Sequence, residues 1–406
     1  MDFDVIIIGS GPAGATAAMY LGRALGKDRV LIVDKAGFPR DKICGDAQGR
    51  KAANIMRELD IEEGYRQLPG HPVYGIKLSS PNGTEVDVDI TTRDNPPPGY
   101  CHRRKVFDEY LHTCAEKWTT FKIMTVTDMI VEDGFVKGVK GKDADGEKEY
   151  RAHLVLAADG ANSIVAQKFG LNKNPPDHFI VGTRQYYMGV TGLTDRIEIH
   201  LVKSLLPGYF WIFPLEDGMA NVGLGMIVKD MNDKKVNLKA AQLKEIAENP
   251  LFKERFANAT ALEDIKGWNL PLASHHRKCY GNGFLLLGDA ASLIDPLSGE
   301  GVGTAMISAK VAANTALSAL KTNDFSEKFL KRYDEELWAE IGTEIEANYR
   351  LQKLGKRFPF LIDKLIGKAK KDEKFRKRIE NMLPYTGGRQ EMAKDSFVEE
   401  LQQMEE

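Results

Sequence analysis

Three glycines and an acid stand where a dinucleotide's phosphates and ribose would need them. Gly9, Gly11 and Gly14 follow a β-branched run and open an Ala-rich stretch. Asp34 lies twenty residues past Gly14, at the end of a second β-branched run. Gly9 suits a tight turn, Gly11 lets a pyrophosphate approach the backbone, and Gly14 lets helix pack closely on strand. The helix start then offers free N–H groups and a positive dipole end to the phosphates. Asp34 would accept hydrogen bonds from an adenosine ribose and disfavour a 2′-phosphate. This pattern alone does not choose between FAD and NAD. Glycines so spaced also serve ordinary turns, but here strand, helix and acid are all in register.

Two further constellations make the choice. One is Asp159-Gly160 with Ser163, after the run "LVLAA"; the other is Gly288-Asp289 followed by Pro296, Gly299 and Gly301. A strand ending at Asp289 can place its carboxylate on ribityl hydroxyls. The Gly-rich turn after it can aim N–H groups at the flavin's N1/O2 end, where reduced flavin is negative. Together with Arg104 in "RKVFDEYL", these motifs resemble the flavoprotein hydroxylases and reductases typified by para-hydroxybenzoate hydroxylase. The resemblance implies FAD, contacted by Gly9, Gly11, Ala13, Gly14, Asp34, Cys44, Gly45, Ala47, Arg104, Val126, Asp159, Asp289, Gly299, Gly301 and Val302. Arg103, beside Arg104, is the alternative register for the arginine. A second GxGxxG and a CxxC pair are both absent from the sequence, which removes disulfide reductases. Hydroxylases, halogenases and alkene reductases remain.

Two segments decide among these. "FPRDKICGDA" follows the second strand, and "LPGYFWIFPLEDGMANVGLG" lies far downstream. Both resemble the geranylgeranyl reductase family, with its CG(D/E) loop (Cys44, Gly45, Asp46) and its PxxYxWxFP strand (Pro207, Tyr209, Trp211, Phe213, Pro214). The tyrosine stands one position from its usual place. The resemblance implies that Tyr209, Trp211 and Phe213 bind a prenyl chain, either a prenyl lipid or a prenyl diphosphate. The residues themselves agree: alternate positions of a strand share a face, and an aromatic wall suits a ligand that offers only apolar area. An ordinary sandwich core strand would read the same way. Saturating an isolated alkene needs hydride, from N5 of reduced FAD, and a proton. Cys44 is the first candidate for the proton donor and equally a packing residue; Asp46 is the second. His102 reads as a local stacking or capping residue, and His275 and His276 as lying outside the chemistry. The external electron donor implied is NADPH, NADH or reduced ferredoxin. The rival reading is a monooxygenase, hydroxylase or halogenase, yet the halogenase WxWxIP segment and its lysine are absent; a non-enzymatic FAD-binding module is a third reading.

The elements that must hold these residues can be read off hydrophobic periodicity. An α/β chain is expected, with a Rossmann-like FAD-binding domain interrupted by an antiparallel substrate sheet and followed by helices. Its FAD-binding parts are 1–72, 100–175 and 273–322. The substrate parts are a hairpin within 73–99, turning at Asn82-Gly83, and an antiparallel region, 176–272. Residues 323–406 are expected to be helical. With 43% hydrophobic and 28% charged residues in 406, a net charge of −2 and four scattered cysteines, the chain is globular. That balance argues against nucleic acid, a structural metal or a disulfide framework. No apolar run approaches the ~20 residues of a membrane span, and the first strand leaves no room for a signal peptide. The expected location is cytoplasmic and peripheral to membranes. Residues 350–378 hold twelve Lys/Arg against three acids. Phe358, Leu361, Ile362, Leu365 and Ile366 recur there at helical spacing. This is the pattern of a helix lying on an anionic membrane surface, or of a charged face whose stripe packs on the enzyme.

Overall fold

A computed structural model describes residues 1–383 and 386–403; residues 384–385 and 404–406 of the expected helical region lie outside it. The first sheet has a parallel centre. Phe284–Leu286, Gly146–Ala157, Phe3–Ile8, Val30–Asp34 and Thr120–Ile123 pair in that order. Val5, Ile6, Ile7, Leu31, Ile32, Val155 and Leu156 are wholly buried, as continuous apolar strands must be when both faces of a sheet are covered. The covering helices include Pro12–Leu25, Arg104–Glu116 and the Ala-rich Val302–Thr322. The apolar run "LVLAA" falls at the end of a twelve-residue strand, Gly146–Ala157. Its outer half pairs with the meander strand Phe135–Asp143, which pairs in turn with Thr125–Glu132.

The second sheet carries Phe179–Met188, Met219–Ile227, Tyr209–Pro214, Arg196–His200, Gly75–Ser79 and Glu85–Asp89, in that order. Edge strand Lys266–Pro271 pairs with Phe179–Met188. The hairpin around Asn82-Gly83 therefore joins the same sheet as residues 179–271. One pairing departs from the expected antiparallel pattern: Arg196–His200 runs parallel to Gly75–Ser79. The two strands come from separate insertions, so no tight turn forces them to oppose. A small sheet of Ala47–Gln48, Gly99–Cys101 and His71–Val73 bridges the two large ones.

The C-terminal region is helical, led by the 31-residue Glu327–Arg357. Of the two readings of the apolar stripe, the structure shows the packed one. Leu361 and Ile366 are buried, and Phe358, Ile362 and Leu365 pack with them against Val86 and Val88 of the hairpin and against Phe375 and Ile379. The stripe of Pro359–Lys371 covers the hairpin's otherwise open apolar face, so its hydrophobic area is already used; of these phenylalanines only Phe360 is exposed. Among the described residues no helix is long and apolar enough to cross a membrane.

Candidate active site

The phosphate end is shaped by missing side chains. Gly9 has φ +93°, and a Cβ there would meet Ala158 O at 2.5 Å. A Cβ at Gly14 would lie 1.8 Å from Gly9 O, so no other residue allows this helix to sit so close to its strand. At Gly11 the reason differs: a Cβ would meet nothing within 4 Å. The space in front of the Pro12–Leu25 helix start is open, which is where a pyrophosphate would lie. Asp34 is buried and accepts from Ser10 N at 2.8 Å and from Arg40 Nη2 at 2.5 Å. The Asp34 carboxylate is thus paired with the Arg40 guanidinium, beside the space a ribose would occupy. Val126 lies just past the backbone bond from Met124 N to Asp34 O.

Asp159 and Asp289 enter from two neighbouring strand ends. Asp159 Oδ2 caps Ile164 N at 2.8 Å, while Oδ1 is buried without a partner; burial pushes this carboxyl up. Ser163 caps Ala166 N at 3.1 Å. Asp289 stands in the turn Gly288–Ala291, and a Cβ on Gly301 would lie 3.4 Å from its Oδ1. A Cβ on Gly288 would meet Ala13 and Ala305, so the first and last motifs converge, with Val302 opening the helix between them. The open cradle at Gly11 and the orphaned Asp159 oxygen fit a bound FAD.

The loop after Asp295 is clamped from two sides. Asp295 Oδ1 accepts from Leu297 N and Ser298 N, and Asn348 Nδ2 donates to Oδ2 at 2.5 Å. Gln352 Nε2 donates to Pro296 O. Both clamp residues belong to the long C-terminal helix. From the other side Tyr209 OH donates to Ser298 O at 2.7 Å, next to Gly299, whose φ is +72°.

Tyr209, Trp211 and Phe213 share one face of their strand, while Phe210 and Ile212 enter the opposite core. The "NVGLG" stretch explains how the indole fits. Gly223 is the direct cross-strand partner of Trp211, and a Cβ there would come within 2.3 Å of the ring. Gly225 and Gly182 flank it. Trp211 thus lies flat on a glycine floor, 8% exposed, with Nε1 donating to Asn221 Oδ1 at 2.9 Å. Over this wall sits the Cys44–Asp46 loop: a Cβ on Gly45 would lie 3.1 Å from Phe213. A cavity of about 570 Å³ opens at the far end of the strand, lined by Leu68, His71, Leu193, Leu215 and Glu216 among others. Leu215 belongs to the same apolar cluster as Trp211 and Phe213.

The two arginines diverge. Arg104 turns inward, its fork held by Asp108 at 2.6 and 2.7 Å. Burial opposes its charge, but Asp108 and the neighbouring Cys44 side chain hold it above the ordinary arginine value. Arg103 turns outward to Glu216 at 2.5 Å. Cys44 is half-buried, its carbonyl accepting from Asn221 Nδ2 at 2.8 Å. Ala47 pairs with Cys101 in the bridging sheet. His102 stacks on Tyr100 at 5.1 Å, and His276 bonds Asp334, outside this cluster. Sequence reasoning missed Tyr186, Asn221, Asn348, Gln352 and Arg40. Only Asn221 carried a signal, standing inward-facing inside the glycine stretch.

Two glycine-rich strand ends, a helix start facing open space and an aromatic sheet laid over the loop between them define a flavin-binding oxidoreductase fold. Residues 2–344 match the model of the FAD binding domain family. The chain is 32% identical over 84% of its length, and 87% of the relative's, to a digeranylgeranylglycerophospholipid reductase of Methanopyrus kandleri. It belongs to the geranylgeranyl reductase family of FAD-binding proteins. In fold it matches a geranylgeranyl bacteriochlorophyll reductase-like protein of Thermoplasma acidophilum, with TM-score 0.80, 24% identity and 90% of each chain covered. A flavin-dependent brominase shares the fold at TM-score 0.75 and 20% identity, covering 99% of this chain and all of that one.

Proposed function

We propose that this protein saturates isolated double bonds in the geranylgeranyl chains of a glycerophospholipid, using FAD. The observation that carries the reading is the aromatic face of Tyr209, Trp211 and Phe213 on its glycine floor, directly under the Cys44–Gly45 loop. The names of the relatives, reductases of digeranylgeranylglycerophospholipid, support the substrate class. Bound and reduced, FAD supplies hydride to one alkene carbon.

The chain's own residues bind, orient and exclude water. Trp211 and Phe213 offer flat apolar area, which positions an isoprenoid without polar contacts. The cavity beyond Leu215 gives the chain somewhere to extend. Cys44, half-buried beside Arg104, is the proposed proton donor to the second alkene carbon. Asp46 is unsuited to that role, because all three of its side-chain partners donate to it. The electron donor is proposed to be NAD(P)H or reduced ferredoxin. An anionic membrane contact is proposed through exposed Lys370, Lys371, Lys374 and Phe360, now by charge and one aromatic rather than by the buried stripe.

Mass spectrometry of a digeranylgeranylglycerol phospholipid incubated with enzyme and reductant tests the reading. Products heavier by two hydrogens per saturated bond are expected. Unchanged lipid, or lipid carrying oxygen or halogen, would overturn it.

A further inference from the structure

Asp46 lies at a crossing of four elements. It is fully buried, with φ +67°, a left-handed conformation that Asp tolerates better than most residues. Oδ1 accepts from Arg104 N at 3.1 Å. This supplies a cap to the Arg104–Glu116 helix, whose own N-cap residue, Arg103, gives no side-chain bond. Oδ2 accepts from Tyr186 OH at 2.7 Å and from Asn221 Nδ2 at 2.8 Å. The Asn221 amide also donates to Cys44 O and accepts from Trp211 Nε1. The Asp46 carbonyl takes Gln48 Nε2 at 2.7 Å and His102 N at 3.1 Å. One carboxylate thus ties the cysteine loop, the Arg104 helix and the indole of the aromatic wall into a single network.

We propose that Asp46 is a positioning residue for prenyl reduction: its ionised carboxylate, acting through Asn221, keeps Trp211 in register with the Cys44–Gly45 loop and the helix bearing Arg104. The inference rests on the prenyl reductase reading for its role, but not for the network itself. Three donors around an acceptor-only carboxylate favour the charged form; a proton on Oδ1 faces Arg104 N–H, and one on Oδ2 meets the Asn221 amide or forces the Tyr186 hydroxyl to turn round.

The surroundings set when that happens. Burial pushes Asp46 up to about 6, against the lowering effects of Tyr186, Arg184, Asn221 and Arg104. Arg184 is buried on the same strand as Tyr186, lies 3.9 Å over its ring and bonds Asp41. Cys101 and His102 face Asp46 from the bridging strand and its end, and Cys44 from its own loop. The folded value lies above the ordinary one, so the proton is taken up early as pH falls, and the network is complete only above about 6. Removing the Tyr186 hydroxyl deletes a bond to the charged form and moves uptake to higher pH.

The test uses holoenzyme with 15N-labelled tryptophan, the Trp211 indole resonance being assigned by Trp211→Phe. That resonance should titrate with a midpoint near 6 in the wild type, higher in Tyr186→Phe, and not at all in Asp46→Asn. In parallel, anaerobically reduced enzyme is mixed with digeranylgeranylglycerol phospholipid. Flavin reoxidation should slow below the same midpoint, with that limb displaced upward in Tyr186→Phe. In Asp46→Asn it should be slower on the order of 100-fold at every pH. Where Asp46→Asn does not fold, Tyr186→Phe carries both readouts. An indole signal that ignores pH, or a limb unmoved in Tyr186→Phe, overturns the proposal. A wild type that no prenyl lipid reoxidises overturns the functional reading instead, and the indole titration still decides the network.

Discussion

Replacing Trp211 by alanine separates a substrate wall from an ordinary core strand. The indole is 8% exposed and spans the glycine floor of Gly182, Gly223 and Gly225. Truncation at such a site costs about 3–5 kcal/mol in lost transfer energy and residual cavity. Glycines cannot refill the space, so the upper part of that range applies. A further ~1 kcal/mol goes with the Nε1 bond to Asn221, and Trp211→Phe removes that bond while keeping an aromatic ring. Chemical denaturation should therefore rank wild type above Trp211→Phe, with Trp211→Ala lowest. If the wall binds prenyl chains, Trp211→Ala must also weaken use of long prenyl substrates relative to short ones, while the flavin is still reduced by the donor. The assay is anaerobic reoxidation of reduced flavin by geranyl, farnesyl and geranylgeranyl substrates. Loss of stability with a wild-type chain-length preference would refute the reasoning, because packing alone would then explain the strand.

Gly11→Val should fold yet purify without FAD, since its side chain enters open space rather than protein; full flavin absorbance in that variant would contradict the pyrophosphate assignment. Asn348→Ala removes the donor to Asp295, a bond to a charged group worth about 1.5–3 kcal/mol. It should raise the FAD dissociation constant, read by flavin fluorescence, although Asn348 lies on the C-terminal helix. Lys370→Glu, Lys371→Glu and Lys374→Glu together should abolish flotation with anionic liposomes; equal flotation of wild type with neutral vesicles would remove the membrane contact.

The cofactor half of the molecule was legible because its signals are contiguous. A parallel strand buried on both faces is an unbroken apolar run, and each glycine motif directly follows one, as at Ile8, Ala157 and Leu287. The aromatic wall was legible for the same reason, with period-two alternation visible within six residues. Its floor was not: Gly223 reveals its purpose only when paired with Trp211 across the sheet. Nor was the parallel join of residues 196–200 with 75–79, since no turn connects them and register is set in three dimensions. The helical clamp on Asp295 reaches 53 residues along the chain to Asn348, and nothing local marks that asparagine. The CG(D/E) loop marks Asp46 as a second proton-donor candidate, but its partners come from positions 104, 186 and 221, which no spacing rule unites. The basic tail left two readings open. Its apolar stripe has the period of a membrane-lying helix, and an apolar hairpin face satisfies that stripe equally well.

The central claim is that reduced flavin here delivers its electrons to an alkene and not to oxygen. Stopped-flow mixing of anaerobically prereduced holoenzyme with a digeranylgeranylglycerol phospholipid tests it most directly. The account predicts that the oxidised-flavin absorbance returns without oxygen, in proportion to double bonds saturated. Flavin that stays reduced until oxygen is admitted would contradict it and favour a monooxygenase or halogenase on the same fold.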